Sequence, residues 1–336
     1  MSIKPGIFRL FWHYHRVLLC LAAMMIAAVW LCYLAAPLVT SAVLSSALRQ
    51  STPLVLGALC GILCERAGVM NIGIEGQMLF AAFIGFVAQT ATGNLPAAVL
   101  AALLAGALMG CLLAFMSVSL RVDQIVGGSV INILALGLTG FFYHAGTAAG
   151  GKLPAVPLGP LKDIPLVGPV LFNNPPVTYA AVVLVGAVHF FLFHTPWGLR
   201  LRAVGEHPRA ADSQGISVVG VRYAAVAAGG ALAGLAGAFL SLEAVGSFER
   251  AMTSGRGFVA LAVMIFGKWM PFGAWGAAML FGLASALQTQ LQFAHQVIIP
   301  HQFIGMLPYL LTIFVLAGFI GRSRPPAAVG QPYEKE

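Results

Sequence analysis

Charge is what this sequence has least of. Its 336 residues include 18 Lys or Arg and 10 Asp or Glu, so 8% are charged, against about 25% in soluble domains. Cysteine is also sparse. Cys20, Cys32, Cys60, Cys64 and Cys111 all lie in apolar segments, which argues against a disulfide framework. Cys60 and Cys64 share a helix face at i,i+4, but no third or fourth ligand is nearby, so they are read as packing residues rather than metal ligands. Catalytic signatures are missing too. The eight histidines are scattered, and no HExxH, CxxC, GxSxG or GxxxxGK[ST] occurs; Gly150-Gly151-Lys152 is too short for a phosphate loop. The chain cannot bind ATP through a P-loop of its own, and an integral membrane enzyme is disfavoured for want of an assembled site.

What is present is hydrophobicity. Sixty per cent of residues are hydrophobic, the mean hydropathy is +0.92, and apolar runs recur along the whole chain. A helix of about 20 such residues crosses the ~30 Å hydrocarbon core. Continuous runs exclude a β-barrel, whose strands alternate apolar and polar residues. The expectation is an all-α polytopic membrane protein with about ten membrane helices, near 17–35, 42–63, 69–91, 96–120, 122–145, 177–194, 223–245, 257–270, 272–292 and 303–320. The run at 17–36 follows Lys4, Arg9 and Arg16 but is longer than a signal-peptide core of ~7–15 residues, so it reads as an uncleaved first helix. Residues 1–16 read as an interfacial tail, 17–321 as the membrane domain and 322–336 as a second tail.

Charge placement tests this division. Of the 18 Lys and Arg, 13 fall on the N-terminal side of the membrane and 5 (Arg49, Lys152, Lys162, Arg250, Arg256) on the other. That asymmetry places both termini and the loop 195–222 in the cytoplasm and the loop 146–176 outside. The net charge of +8 therefore belongs to inner loops and does not imply nucleic acid. Small residues at four-residue spacing, Gly57/Gly61, Gly106/Gly110, Gly230/Gly234 and Ala233/Gly237, predict close helix–helix contact.

Against this background a few polar residues stand out. In ERAGVMNIGIEGQML, Asn71 and Glu75 are at i,i+4 and would share one face of the third span, with Gly73 and Gly76 loosening it. A carboxylate deep in a span costs ~2.5–3.5 kcal/mol and must face the protein interior. It either lines a translocation path or fixes packing through interhelical hydrogen bonds, and the residues themselves leave both open. Asn132 is a second mid-helix polar residue. Glu243, Glu249, Gln288, Gln290 and Gln292 are assigned to surface solvation. In the inner loop, Pro208 can open a short helix that Gly215 ends in the left-handed conformation. Such a helix either docks into another protein or merely closes the loop.

ERAGVMNIGIEGQML, DQIVGGSVINILALGLTGF, LRAVGEHPRAADSQGISV and GFVALAVMIFGKWMPFGAWGAAMLFGLASALQ, taken together, resemble permease subunits of bacterial ABC importers. The similarity is to the branch serving ribose-type sugars, nucleosides and branched-chain amino acids, above all its nucleoside permeases, and it runs from about residue 45 to 320. The resemblance implies half of a translocation pathway for a small polar solute, a nucleoside or simple sugar, in the bacterial plasma membrane. It implies a second, different permease, a separate cytoplasmic ATPase that uses ATP and magnesium, and an external substrate-binding lipoprotein. Asn71, Glu75 and Asn132 would then line the path. Gly205, Glu206, Pro208, Arg209, Ala211, Asp212 and Gly215 would form the coupling helix seated in the ATPase. The competing reading is a secondary transporter driven by an ion gradient, which needs no ATPase and usually a relay of membrane carboxylates.

Overall fold

The computed structural model describes residues 27–143, 151–293 and 324–334, with Met24, Phe303, Gly305, Met306 and Leu310 besides. The N-terminal tail, the first part of the span expected at 17–35 and most of that at 303–320 lie outside the described residues. Residues 27–35 are helical. The main elements are α1 (Pro37–Arg66), α2 (Ile74–Thr92), α3 (Leu95–Ala114), α4 (Gln124–Phe142), α5 (Val167–Leu171), α6 (Pro176–His194), α7 (Pro196–Glu206), α8 (Pro208–Ser213), α9 (Val218–Ala238), α10 (Arg256–Phe266) and α11 (Pro271–Phe293). A two-residue ribbon, β1 (Val156–Pro157) with β2 (Asn173–Asn174), is antiparallel. Turns of π-helix prolong α3 over Phe115–Ser119 and α9 over Phe239–Val245.

Six helices among the described residues are long and apolar enough to cross a membrane: α1, α2, α3 and α9 with their extensions, α4 and α6. Their burial sorts them. The apolar stretch of α1 is 89% buried and that of α9 83%, against 28% for α4 and 33% for α6. The first pair is central, and the second shows side chains such as Ile133, Phe141 and Val183 on its outer surface, where a bilayer satisfies them.

The small-residue faces are the seams. A β-carbon on Gly106 or Gly230 would strike the backbone of the facing helix, so α3 and α9 meet backbone to backbone. Gly57 and Gly61 admit Ala260 and Met264 of α10 against α1. Lipid offers no hydrophobic drive between helices, so this close approach supplies the dispersion contact that holds them.

Two expected spans differ in the structure. The segment 257–270 is a helix of 11 residues, ~16 Å long at the helical rise and too short to cross. The span expected from residue 69 begins only at Ile74, because Ala67–Gly73 is not helical. Both helices therefore start inside the bundle. The loop 195–222 and the tail 324–334 cluster at one end, here termed the loop end; the ribbon segment 151–175 covers the other, where Leu153 N–H donates to Leu242 C=O.

Candidate functional site

The non-helical stretch before α2 leaves backbone groups to satisfy in an apolar interior, where each orphan costs several kcal/mol. Side chains from α4 meet that need. Gln124 Oε1 accepts from Met70 N–H at 2.6 Å. Asn132 Oδ1 accepts from Gly76 N–H at 2.7 Å, while its Nδ2 donates to Ile72 C=O at 3.1 Å. Gly76 lies so close to α4 that a β-carbon there would come within 2.7 Å of Asn132 Cα.

Asn71 and Glu75 do not share a helix face, since Asn71 precedes the helix. Asn71 is fully buried and donates through Nδ2 to Gln77 Oε1 at 3.1 Å and to the sulfurs of Cys60 and Cys64 at 3.4 and 3.5 Å. Glu75 points elsewhere. Its Oε1 accepts from Gly255 N–H at 2.8 Å and its Oε2 from Gly257 N–H at 2.6 Å. The carboxylate thus caps α10, joining the positive end of that half-helix and satisfying two orphan amides.

Two further carboxylates do similar work. Glu243, expected at the surface, is buried and accepts from Val177 N–H at the start of α6 and from the Thr178 hydroxyl. Glu65 accepts from Trp269 Nε1 at 2.6 Å, while Arg66 donates to Trp269 C=O at 3.0 Å, so the end of α1 holds the turn between α10 and α11. Each of these acids is engaged in fixing a helix end. They are not strung into a relay.

At the loop end, α8 runs from Pro208 to Ser213 with His207 as its N-cap residue, and Gly215 follows at φ 78°. The expected coupling residues divide in two. Ala211 is buried against Val204 and Val218, and Gly205 is pressed on Arg66 C=O with no room for a β-carbon. Glu206, Arg209 and Gly215 are exposed, with Pro208 and Asp212 half-buried. The first group seats the helix and the second forms its more exposed side.

The tail was not anticipated as part of this face. Ala328 N–H donates to Gly205 C=O at 2.9 Å, Ala327 N–H to Glu206 Oε2 at 3.2 Å, and buried Arg222 donates to Gln331 C=O at 3.1 Å. Arg121 pairs with Glu334 at 2.6 Å. Residues 327–334 thus strap the end of α7, just before α8, to α9 and to the turn before α4. No periodic pattern in the tail announces this, because three of these four contacts are made by its backbone groups.

A short helix that starts inside a bundle of membrane-length helices, with a seated helix at one end, marks a polytopic membrane protein of transporter-like build. The chain belongs to the family described as branched-chain amino acid transport system / permease component, which matches residues 43–316. It is 41% identical to the guanosine ABC transporter permease protein NupQ of Bacillus subtilis over 88% of this chain and 98% of that one. It is 37% identical to the nucleoside ABC transporter permease protein NupC of Lactococcus lactis over 87% and 96%. A putative glucose ABC transporter permease, TsgC13 of Haloferax volcanii, is 34% identical over 87% and 97%. A second permease from each of the two bacteria, NupP and NupB, matches at 26% and 25% identity. No solved structure matches the chain. The chain is thus a multi-pass permease subunit of an ABC transporter and not itself an enzyme.

Proposed function

We propose that this chain is one of two different permeases in an ATP-driven importer of a nucleoside or a simple sugar. The observation that carries the cargo reading is near full-length similarity to permeases named for guanosine and nucleosides in two bacteria. The unequal match to the two permeases of each bacterium supports a mixed pair, because this chain follows one member of each. The loop end is cytoplasmic on the positive-inside rule, and about ten helices with both termini inside complete the topology.

ATP and magnesium belong to a separate ATPase, which receives α8 through Glu206, Pro208, Arg209 and Asp212 with Gly215 closing the helix; Gly205 and Ala211 hold it in place. An external lipoprotein delivers the solute. Asn71, Glu75 and Asn132 act beside the pathway, holding the helix breaks open, Glu75 and Asn132 through hydrogen bonds to backbone groups and Asn71 through the side chains of Gln77, Cys60 and Cys64. The competing ion-driven reading loses support because Glu65, Glu75 and Glu243 are each committed to a helix end or turn.

The test is uptake by the assembled transporter in vesicles, across guanosine, uridine, ribose, glucose and leucine. ATP-dependent uptake of a nucleoside or sugar is expected. Uptake of leucine with neither of the others would overturn the cargo assignment.

A further inference from the structure

Two cavities open in the half of the bundle away from the loop end. One, of about 480 Å³, has Arg49, Lys152 and Glu243 on its wall. The other, of about 370 Å³, is lined by Ser254, Ser285, Gln288 and Thr289. Gln50 and Arg256 line both, so the cavities adjoin at these two side chains. Arg256 starts α10, ten residues from Phe266 at the loop end, which puts this neck ~15 Å into the bundle at the helical rise.

The second cavity departs from the apolar rule of the fold. Ser285, Gln288 and Thr289 are spaced i, i+3 and i+4 and so share one face of α11. Opposite them on α1 is Gln50, whose Nε2 lies 3.5 Å from Thr289 Oγ1, at the outer limit of a hydrogen bond. Neither Ser285 nor Gln288 has a side-chain hydrogen bond among the described residues. The remaining wall is apolar, from Leu54, Val259 and Phe281. Neutral hydrogen-bonding groups gathered on one side of a cavity, with an apolar side facing them, make a surface for a solute that has both characters.

Among the described residues Arg256 is the one cation on this wall, and the Glu75 carboxylate sits on the amides immediately before and after it. The two charges offset each other at this second chamber, whereas the first has Arg49, Lys152 and Arg256 against Glu243 on its wall. A solute with several hydroxyls or ring heteroatoms fits the neutral hydrogen-bonding face that Ser285, Gln288 and Thr289 present in the second chamber.

We infer that the solute moves through these two chambers, and that Gln50, Ser285, Gln288 and Thr289 are its hydrogen-bonding contacts on the way to the neck at Arg256. This deepens the importer reading and rests on it. This chain's half of the path is thereby assigned to the space between α1, α10 and α11 rather than to Asn71 and Asn132.

The experiment uses the complete transporter in vesicles, with its second permease, ATPase and binding protein, and follows guanosine and uridine uptake. Gln50→Leu and Thr289→Val are expected to lower the initial rate about fivefold to tenfold, as loss of a hydrogen bond to a passing solute would, while solute affinity of the isolated binding protein is unchanged. Thr289→Ser restores most of the rate, and Gln290→Leu, on the same helix but off the chamber wall, leaves it at the wild-type level. A second readout does not depend on transport. In a Cys32→Ser background, Thr289→Cys is expected to react with a charged, membrane-impermeant thiol reagent added outside. Rates within twofold of wild type for both Gln50→Leu and Thr289→Val overturn the inference, as does an unreactive Thr289→Cys. If the wild-type complex imports another solute instead of nucleosides, the cargo reading fails and the same variants are judged with that solute.

Discussion

Glu75 on α2 holds the first turn of α10 by accepting the amide protons of Gly255 and Gly257. The starts of two helices are thus joined by one carboxylate. Glu75→Ala removes both acceptors and should destabilise the purified protein by about 1–3 kcal/mol, read as a lower midpoint of thermal unfolding in detergent. Glu75→Gln keeps one acceptor and should lose less. Unchanged stability with an altered solute preference would instead place Glu75 in contact with cargo.

Asn132 makes the corresponding bridge from α4 to the start of α2. Asn132→Leu orphans Ile72 C=O and Gly76 N–H, so backbone amides over residues 70–76 should exchange hydrogen faster than in the wild type. Exchange that stays at the wild-type rate would show that the break supports itself.

The seam between α3 and α9 gives a sharper contrast. Gly230 meets Gly106 backbone, whereas nothing lies within 4 Å of a β-carbon on Gly137. Gly230→Leu should abolish the monodisperse folded fraction in size-exclusion chromatography, and Gly137→Leu should leave it intact, since packed interiors tolerate little added volume.

The strap formed by the tail predicts a coupling phenotype. Removing residues 325–336, or replacing Arg222 with Met, breaks the hydrogen bonds by which the tail ties the end of α7, next to α8, to α9. Uptake should fall more than ATP hydrolysis in the assembled transporter. Arg209→Glu combined with Asp212→Lys attacks the exposed surface directly and should uncouple hydrolysis from uptake while expression stays normal. Equal uptake per ATP in all three would contradict the assignment of this face.

The sequence was legible where the physics is local. Apolar run length located the long helices, and Pro208 with Gly215 located α8, because a helix start and a left-handed stop are set by neighbouring residues. It was misleading where a helix end is fixed from afar. Glu75 acts on Gly255, 180 residues away, so 257–270 read as a full span although its helix ends at Phe266. Asn71 paired with Glu75 only on the assumption of a helix that begins three residues later, at Ile74. Glu243 and Gln288 were assigned to surface solvation for the same reason: their environment is built by other helices.

The central claim is that this subunit moves solute only when an ATPase drives it through the face around Pro208. Reconstitution of the purified chain alone, with an imposed proton or sodium gradient and no nucleotide, tests it most directly. No accumulation of guanosine, ribose or leucine is expected, and uptake of one of them should appear when the companion subunits and ATP are added. Accumulation by the lone chain would contradict the claim.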